Sequence, residues 1–275
     1  QLRRIIAQRS IHIVHCHLGI SSVLGLLAAR SRGAPAVVTR HLLEDRYTTI
    51  ANPAVRAAYR GVYRWMNARF ARIICVSRGV RDNIIAREGA PPHKCVIIPN
   101  GVPLRERGQE VSAAPPGMLP GLPHGRRIAV CVSRLSREKG LPALVQALEI
   151  CVRQGHDICV VIAGTGPLRE ALLEQARASG IADRLILPGF VEDVRGLLDA
   201  SHVFVLPTLQ ESFGISILEA MAAGLPVIAT ATPGPSEIME HEINGLLVPP
   251  SDPEALARAM IRVIGDQALS DSLRR

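Results

Sequence analysis

The chain has 275 residues, 48% of them hydrophobic, and a formal net charge of +8. This length is sufficient for two domains, and the hydrophobic content excludes an intrinsically disordered chain. One Trp, three Tyr and four Phe are too few for a platform that stacks nucleic-acid bases, so we expect no nucleic-acid partner. No apolar run reaches the roughly 18–20 residues that span a bilayer, and no signal peptide opens the sequence.

Charge is divided unevenly along the chain. Residues 1–124 contain 18 Lys and Arg against six Asp and Glu, whereas residues 125–275 contain 14 against 18. Residues 105–125 are rich in Pro and Gly and lack periodicity, which predicts a linker at this boundary. We therefore predict domains at 1–104 and 126–275. Both ends of the sequence fall within helical patterns, which indicates a fragment truncated at both ends.

Six cysteines are spread through the chain without a CxxC pair, and four of them fall inside apolar runs. We interpret them as buried thiols in a reducing compartment rather than as metal ligands or redox groups. This interpretation indicates a cytoplasmic protein. The cysteines are Cys16, Cys75, Cys95, Cys131, Cys151 and Cys159.

Short apolar runs rich in Val and Ile alternate with helical periodicity throughout the chain. This alternation predicts an α/β fold with parallel sheets, arranged as two doubly wound Rossmann-like domains facing a cleft. A stripe that starts at Leu141 and ends at Val152 predicts a helix after Gly140. The predicted strands are 11–15, 36–39, 73–76 and 96–99 in the first half, and 128–133, 159–163, 185–187, 203–206, 227–229 and 246–248 in the second.

Loops that follow the second-half strands are expected at one sheet edge, where parallel sheets bind ligands. Arg134 and Lys139 follow one strand, and two convergent cations suit a diphosphate. Lys139 is one of two lysines, against thirty arginines. A solvated basic turn is the alternative. Gly164 follows the next strand, but Arg169 stands where a third glycine is needed, which argues against a nicotinamide site.

Two carboxylates, Glu211 and Glu219, flank the start of a predicted helix. We expect Glu211 in the preceding loop and Glu219 on the second turn, with free backbone N–H groups near Gly214. This arrangement suits a ligand with hydroxyls for the carboxylates and a phosphate for the helix end. Paired carboxylates also fit a glycosidase, but glycoside hydrolysis does not need Arg134 and Lys139.

Taken together, these motifs resemble the retaining glycosyltransferases of the two-Rossmann-domain (GT-B) type, in particular the group-1, or family-4, set. The resemblance covers nearly the whole chain. One loop departs from the family pattern, because Gly234 is followed by Pro235 instead of a second glycine. The motifs are residues 133–140, 163–167, 207–214, 219–227 and 244–248 in the second half, and 75–77 and 97–102 in the first.

The resemblance implies a role for each matched residue. Arg134 and Lys139 would hold the diphosphate of a nucleotide-sugar and stabilise the leaving group. Glu211 would bind hydroxyls of the donor sugar, and Glu219 those of the ribose. His41, after a first-half strand, would lie at the reaction centre. The implied catalytic residues are His41, Glu211, Arg134 and Lys139, and the implied donor-binding residues are Arg134, Lys139, Gly164, Glu211, Phe213, Gly214 and Glu219.

Two other first-half histidines, His15 and His17, flank Cys16 and share one face of a strand end. They lack a third ligand at metal spacing, so we interpret them as structural histidines. No DxD-type pair follows a strand, and the cations Arg134 and Lys139 make a metal unnecessary. We therefore expect no metal and no cofactor.

The implied function is retaining, metal-independent transfer of a sugar from a nucleoside-diphosphate sugar to a hydroxyl acceptor. In this family the donor nucleotide is UDP by default, with GDP second. The acceptor is expected to be a sugar or a lipid-linked sugar, in cell-envelope polysaccharide or glycolipid synthesis. Alternatives are a non-catalytic nucleotide-sugar binding module and a sugar-nucleotide epimerase. The family also has a further strand–helix unit before residue 1 and a terminal helix, which are expected to be missing here.

A basic helix is predicted in the first half, where Arg56, Arg60 and Arg64 recur every four residues. The row lies opposite a partial apolar stripe. Such a helix suits peripheral contact with an anionic membrane on its cytoplasmic face, and a solvated basic face is the alternative. The stripe consists of Val55, Tyr59, Val62 and Met66.

Overall fold

The computed structural model describes residues 1–17, 19–42, 50–104 and 125–274. They divide into two units, residues 1–100 and 101–275, and each unit has its own parallel sheet. Strands and helices alternate in both units, which confirms the α/β prediction. The predicted linker, 105–125, lies outside the described residues except for Gly125.

Unit 1 has a four-stranded sheet whose strand order follows the chain, β1-β2-β3-β4. The strands are β1 (Val14–His17), β2 (Ala36–Arg40), β3 (Arg72–Cys75) and β4 (Cys95–Ile97), and the helices are α1 (Leu2–Gln8), α2 (Gly19–Arg30), α3 (Pro53–Asn67) and α4 (Arg78–Glu88). Polar side chains define two helix starts, since Asn52 accepts from Ala54 N at 2.9 Å and Ser77 from Val80 N at 3.1 Å.

Strand β1 begins later than the sequence predicts. The predicted strand was 11–15, whereas the observed strand is Val14–His17. Ile11 and Ile13 are exposed, so their apolar character does not mark a strand. The strand is defined instead by its hydrogen-bonded pairing with residues 36–39 of β2, which an apolar pattern does not reveal.

Helix α3 carries the predicted arginines, and its apolar residues differ in burial. Tyr63 and Met66 are buried, whereas Val55, Val62 and Trp65 are exposed. The predicted stripe lies on one side of the helix, since Val55, Val62 and Met66 fall within about 40° of each other at about 100° per residue. Unit 1 buries only the part of the helix surface around Tyr63 and Met66. Among the described residues no helix has the length and apolar character needed to cross a membrane.

Unit 2 has a six-stranded parallel sheet in the order β10-β9-β8-β5-β6-β7. Its strands are β5 (Arg127–Val132), β6 (Ile158–Ala163), β7 (Leu185–Gly189), β8 (Val203–Leu206), β9 (Val227–Thr230) and β10 (Leu246–Val248). Its helices are α5 (Leu141–Arg153), α6 (Arg169–Ala178), α7 (Val194–Asp199), α8 (Ile215–Ala222), α9 (Pro233–Ile238), α10 (Pro253–Gly265) and α11 (Gln267–Ser272).

The strand order of unit 2 is doubly wound. The chain runs from β5 outward through β6 and β7, returns to place β8 on the other side of β5, and continues to β10. The direction therefore reverses between β5 and β8, and sheets of this kind bind ligands at the carboxyl ends beside that switch point. The β5–β8 ladder is short, with two registered residue pairs against six between β5 and β6.

The core of unit 2 covers the sheet on both faces. Every residue of β6, β8 and β9 is buried, as their Val- and Ile-rich composition predicts. The helix predicted after Gly140 is α5, which buries Leu141, Leu144 and Leu148. Continuous burial keeps the strand ends, and the loops that leave them, in defined positions.

The six cysteines are free thiols, and all except Cys95 are buried. Burial raises the pKa of Cys75 to about 12 and that of Cys131 to about 11. Both thiols therefore stay protonated at neutral pH, where the thiolate needed for nucleophilic or metal-binding chemistry is scarce.

Candidate functional site

The loops that follow β5 and β8 are joined by hydrogen bonds beside the switch point. The carbonyl oxygen of Glu138 accepts from the N–H of Leu209 at 2.8 Å and from that of Gln210 at 3.3 Å. It also accepts from the hydroxyl of Thr208 at 3.0 Å. We call this contact, between Glu138 and residues 208–210, the loop junction. It holds the two strand-end loops in a fixed register.

Gly140 allows the two loops to approach each other at the loop junction. Its φ of +63° lies in the left-handed region, which favours glycine. A Cβ atom at this position would overlap the carbonyl oxygen of Pro207. The preceding residues form a single 3₁₀ turn, Arg137–Lys139, so the Lys139 side chain emerges beside the β8 loop.

Lys139 and Glu211 form an ion pair across the loop junction. Lys139 Nζ donates to Glu211 Oε2 at 2.7 Å, and each side chain is 15% exposed. The other carboxylate oxygen of Glu211 accepts from the N–H of Ser212 at 3.1 Å. Lys139 is predicted to bind the diphosphate and Glu211 the sugar of the same ligand, and the two side chains contact each other directly.

Arg134, the second predicted cation, is more accessible. Its guanidinium donates to Glu138 Oε1 at 3.0 Å, and its side chain is 74% exposed. Ser136 donates to the same oxygen at 2.6 Å. Burial raises the pKa of Glu138, but the Ser136 hydroxyl, the backbone N–H of Glu138 and the charges of Arg134 and Lys139 together lower it. Glu138 is thus an ionised partner that the sequence analysis missed, although its i, i+4 spacing from Arg134 was a signal.

The loop after β6 packs against the loop after β5. A Cβ atom on Gly164 would overlap the carbonyl oxygen of Ser133. The N–H of Leu135 donates to the carbonyl of Thr165 at 2.9 Å. Gly164 is therefore required for loop packing, and its predicted contact with a ligand remains a prediction.

The segment after Glu211 leads into helix α8 as the sequence predicts. Phe213 is buried, and Gly214 precedes the first helical residue with φ +107°. Glu219 lies on the second turn of α8 and is half-buried. Burial raises the pKa of its carboxyl. Within the part of the chain that the structure describes, the Glu219 carboxylate has no hydrogen-bond or ion-pair partner, so it is available to accept hydrogen bonds from a ligand.

Gly234, in the first turn of α9, packs against the segment 211–213. Its N–H donates to the carbonyl oxygen of Glu211 at 3.2 Å. A Cβ atom on Gly234 would lie 2.8 Å from that oxygen and 2.7 Å from the backbone nitrogen of Phe213. Gly234 thus has a packing role beside the site, and that role is compatible with Pro235 as the next residue.

In unit 1, His41 contacts another histidine at the carboxyl ends of β1 and β2. His41 Nε2 and His17 Nδ1 are 2.8 Å apart, and His15 Nε2 lies 2.7 Å from the hydroxyl of Thr39. Burial, followed by the neighbouring His17 and His15, lowers the pKa of His41. The sequence predicts the same structural role for His15 and His17, whereas His17 contacts His41 and His15 contacts Thr39. Over the described ranges no three His, Cys, Asp or Glu side chains are arranged to hold a metal ion.

The residue before His41 is held by a buried ion pair. Arg40 donates to Glu88 at 3.1 Å and to Asn67 at 3.0 Å, and both ionic side chains are less than a tenth exposed. Asn67 also donates to Glu88 at 3.2 Å. Since Asn67 ends α3 and Glu88 ends α4, the network connects the end of β2 to two helix ends.

The comparisons with known families match both units. The model described as Glycosyl transferases group 1 matches residues 120–275, and that described as Glycosyltransferase Family 4 matches residues 1–106. Fold and site define a glycosyltransferase of the GT-B type. The chain belongs to the group 1 glycosyltransferase family.

Similar curated proteins are named glycosyltransferases. The chain is 29% identical to the UDP-Gal:alpha-D-GlcNAc-diphosphoundecaprenol alpha-1,3-galactosyltransferase of Escherichia coli, over 98% of this chain and 70% of the relative. It is 28% identical to the alpha-D-kanosaminyltransferase of Streptomyces kanamyceticus, over 99% of this chain and 72% of that enzyme. These proteins extend beyond the part that the chain matches.

Similar solved structures share the fold at low sequence identity. HepE of Anabaena, solved with UDP, superposes with a TM-score of 0.80 at 22% identity, over 99% of this chain and 74% of that chain. Sucrose-phosphate synthase of Thermosynechococcus elongatus gives a TM-score of 0.81 at 24% identity, over 99% of this chain and 69% of that chain. The two-domain prediction of a GT-B fold is confirmed.

Replacing Gly234 by Ala is expected to displace the segment 211–213 and to lower the free energy of unfolding. The added methyl group must move backbone atoms now 2.7–2.8 Å from its position, and overpacking of this kind costs about 1–3 kcal/mol. Urea denaturation of the purified variant measures the change.

Gly265→Ala is the matched control, because a Cβ atom there meets nothing within 4 Å. Gly265 ends α10, so its replacement is expected to leave the stability unchanged or slightly raised. Equal stability of the two variants would show that the backbone of residues 211–213 does not restrict the size of the residue at position 234.

Proposed function

We propose that the chain binds a nucleoside-diphosphate sugar and transfers the sugar to a hydroxyl acceptor, with retention at the anomeric carbon and without a metal ion. The observation that carries this proposal is the position of two cations and a carboxylate at the loop junction. Lys139 and Glu211 contact each other there, and Arg134 is held beside them by Glu138. An unpartnered carboxylate, Glu219, lies on the helix that follows.

Lys139 and Arg134 are the groups proposed to bind the diphosphate. Both form charge-assisted hydrogen bonds to carboxylates. Arg134 can exchange its carboxylate partner for a phosphate oxygen, and Lys139, which has three N–H donors, can bind a phosphate oxygen while it stays paired with Glu211. Arg134 is the freer of the two, because its side chain is mostly exposed. During transfer, negative charge grows on the departing phosphate, and cations already in place stabilise that charge.

Glu211 is proposed to bind hydroxyls of the transferred sugar while it stays paired with Lys139. A carboxylate has about four acceptor positions, and the two contacts seen here leave room for hydroxyl donors. Gly164, Phe213 and Gly214 are proposed to complete the donor site. Glu219 is proposed to accept hydrogen bonds from the ribose hydroxyls.

The proposed chemical step takes place on one face of the sugar. The bond from the anomeric carbon to the phosphate oxygen breaks, and a bond to the acceptor oxygen forms on the same side. The acceptor hydroxyl gives its proton to an oxygen of the departing phosphate, so no protein nucleophile is needed. His41, kept neutral by its lowered pKa, is proposed to hydrogen-bond the reacting sugar.

UDP is the proposed nucleotide, before GDP. Support comes from the HepE structure, which was solved with UDP, and from the Escherichia coli relative, whose name gives UDP-Gal as the donor. That relative is named for a diphosphoundecaprenol-linked acceptor, which supports a lipid-linked sugar as the acceptor. We therefore propose a role in cell-envelope polysaccharide or glycolipid synthesis, rather than as an epimerase or a non-catalytic binding module.

Helix α3 is the surface proposed to contact an anionic membrane on its cytoplasmic side. Val55 and Val62 lie two turns apart on one side of the helix and Trp65 follows one turn later, while the exposed Arg60 and Arg64 lie on the opposite side. The guanidinium of Arg69 lies 4.3 Å from the centre of the Trp65 ring. A Trp flanked by arginines suits the boundary between lipid headgroups and acyl chains. The exposed apolar residues are Val55, Val62 and Trp65.

Loss of either cation is expected to weaken UDP binding. Lys139→Ala and Arg134→Ala each remove a charge-assisted hydrogen bond, worth about 1.5–3 kcal/mol, or about 10- to 150-fold in Kd. The Lys139 variant is expected to bind more weakly, since it also leaves Glu211 unneutralised beside the diphosphate. Isothermal titration calorimetry with UDP measures both.

Arg137→Ala is the matched control, because Arg137 is an exposed arginine on the same 3₁₀ turn. Its Kd for UDP is expected to stay within about twofold of the original, since a solvated surface charge contributes little. Undiminished affinity in both the Lys139 and Arg134 variants would sink the proposed diphosphate site.

Glu219→Ala is expected to remove the preference for a ribose over a 2′-deoxyribose. The original chain should bind UDP about 10-fold or more tightly than 2′-deoxy-UDP, because a charged acceptor loses one hydroxyl donor. Burial raises the pKa of Glu219, so this preference should decline as the pH falls through that raised pKa. Titration of both nucleotides at several pH values measures the effect. If the Glu219→Ala variant keeps the preference of the original chain for UDP over 2′-deoxy-UDP, the ribose contact is wrong.

Membrane contact by α3 is expected to change the fluorescence of Trp65, the only tryptophan. Vesicles of phosphatidylglycerol and phosphatidylcholine should shift its emission to shorter wavelength at low salt, because the indole leaves water. Pure phosphatidylcholine vesicles should have no effect, and about 0.5 M NaCl should reverse the shift, since salt screens surface charge.

The variant Arg60→Glu/Arg64→Glu is expected to abolish this shift. The matched control is Arg153→Glu/Arg258→Glu, which makes the same change of charge on two exposed residues of unit 2. An unaltered emission spectrum of the original chain with anionic vesicles refutes the proposed membrane surface.

A further inference from the structure

The side chains of His17 and His41 meet because of the register of β1 and β2. His17 is paired with Thr39, and alternate residues of a strand share a face, so Thr39 and His41 point to the same side. The neighbouring pair follows the same diagonal rule, since His15 is aligned with Val37 and contacts Thr39. The 2.8 Å contact between His17 Nδ1 and His41 Nε2 is therefore built into the sheet.

The main chain is held on both sides of this histidine pair. The hydroxyl of Ser21, on α2, donates to the carbonyl oxygen of His17. The carbonyl oxygen of Arg40, next to His41, accepts from the N–H of Val76 at 3.4 Å, and the Arg40 side chain is held by Glu88 and Asn67. Since both backbones are anchored, the main freedom left to His41 is rotation of its side chain. The hydrogen bond between the two rings restricts that rotation.

We propose that His17 is a positioning residue for His41, and that its Nδ1 atom sets the orientation of the His41 ring and the nitrogen that carries its proton. This inference rests on the proposed function, which assigns His41 to the reacting sugar. Two neutral imidazoles that share one hydrogen bond hold one proton between them. The bond occupies His41 Nε2 and leaves its Nδ1 atom with one defined role, as donor or as acceptor.

The electrostatics of the pair agree with this role. The titratable groups whose charge lowers the pKa of His41 are His17 and His15, both on β1. A neutral His41 with a single tautomer can bind a sugar hydroxyl in one orientation, whereas a free ring samples several. Misplacement of a catalytic group by about 1 Å can cost about 100-fold in rate.

The test compares four variants of the full chain in the transfer reaction. His17→Ala is expected to lower kcat about 10- to 100-fold and to leave the Kd for UDP unchanged. His17→Asn is expected to recover most of the rate, because the Asn amide places a polar atom near the position of Nδ1. His12→Ala is the matched control, an exposed histidine just before β1, expected to stay within about twofold of the original rate. His41→Ala sets the scale of the maximum loss.

A second measurement does not depend on activity. Proton NMR titration of the histidine rings gives the pKa of His41 in each variant that retains this residue. In His17→Ala this pKa is expected to rise, since a neighbouring charge that lowers it has been removed.

The outcomes separate this inference from the proposed function. A slow His41→Ala variant beside a fully active His17→Ala variant overturns the positioning role alone, as does an unchanged pKa of His41 in His17→Ala. A His41→Ala variant that transfers sugar at the original rate refutes the role proposed for His41, and the inference falls with it. Loss of rate in His17→Ala with recovery in His17→Asn supports it.

Discussion

The site of unit 2 depends on one backbone acceptor, the carbonyl oxygen of Glu138. Hydrogen bonds from the 208–210 segment to this oxygen hold together two loops that belong to opposite halves of a doubly wound sheet. The approach also requires a glycine at position 140, where any side chain would overlap Pro207. Lys139 and Glu211 face each other because the backbone contacts bring their loops together. Attraction between the two side chains is not what sets this geometry.

The charges of the site are balanced within the chain. Lys139 is neutralised by Glu211 and Arg134 by Glu138, so neither cation is left to repel the other. A diphosphate changes this balance because it brings its own negative charge, and Arg134 can reorient at little cost since its side chain is largely in solvent. Lys139 is less free, because moving it would leave a mostly buried carboxylate without a partner. The two cations thus divide between a fixed and an adaptable contact.

Much of the fold could be predicted from sequence, because ten apolar runs correspond to the ten strands of the described residues and the glycine at 214 marks the start of α8. The partners of the site residues could not. Lys139 and Glu211 are 72 positions apart, and their contact follows from strand order, which local patterns do not encode. The same holds for His17. The alternation of side chains along a strand predicts which face of the sheet His17 lies on, but only the register between β1 and β2 shows that its neighbour is His41. On α3, helical spacing identified the apolar residues, but only packing decides that Met66 is buried and Val62 is not.

The short ladder between β5 and β8 makes the site important for how firmly the two halves of the sheet are held together. Two registered pairs join the two halves of the sheet there, so this seam has fewer interstrand bonds than the β5–β6 ladder. A ligand bound by the loops after β5 and β8 would connect the two halves of the sheet across this short ladder. Opening of one half from the other would then require the ligand to leave first, so occupancy would slow hydrogen exchange in strands far from the bound molecule.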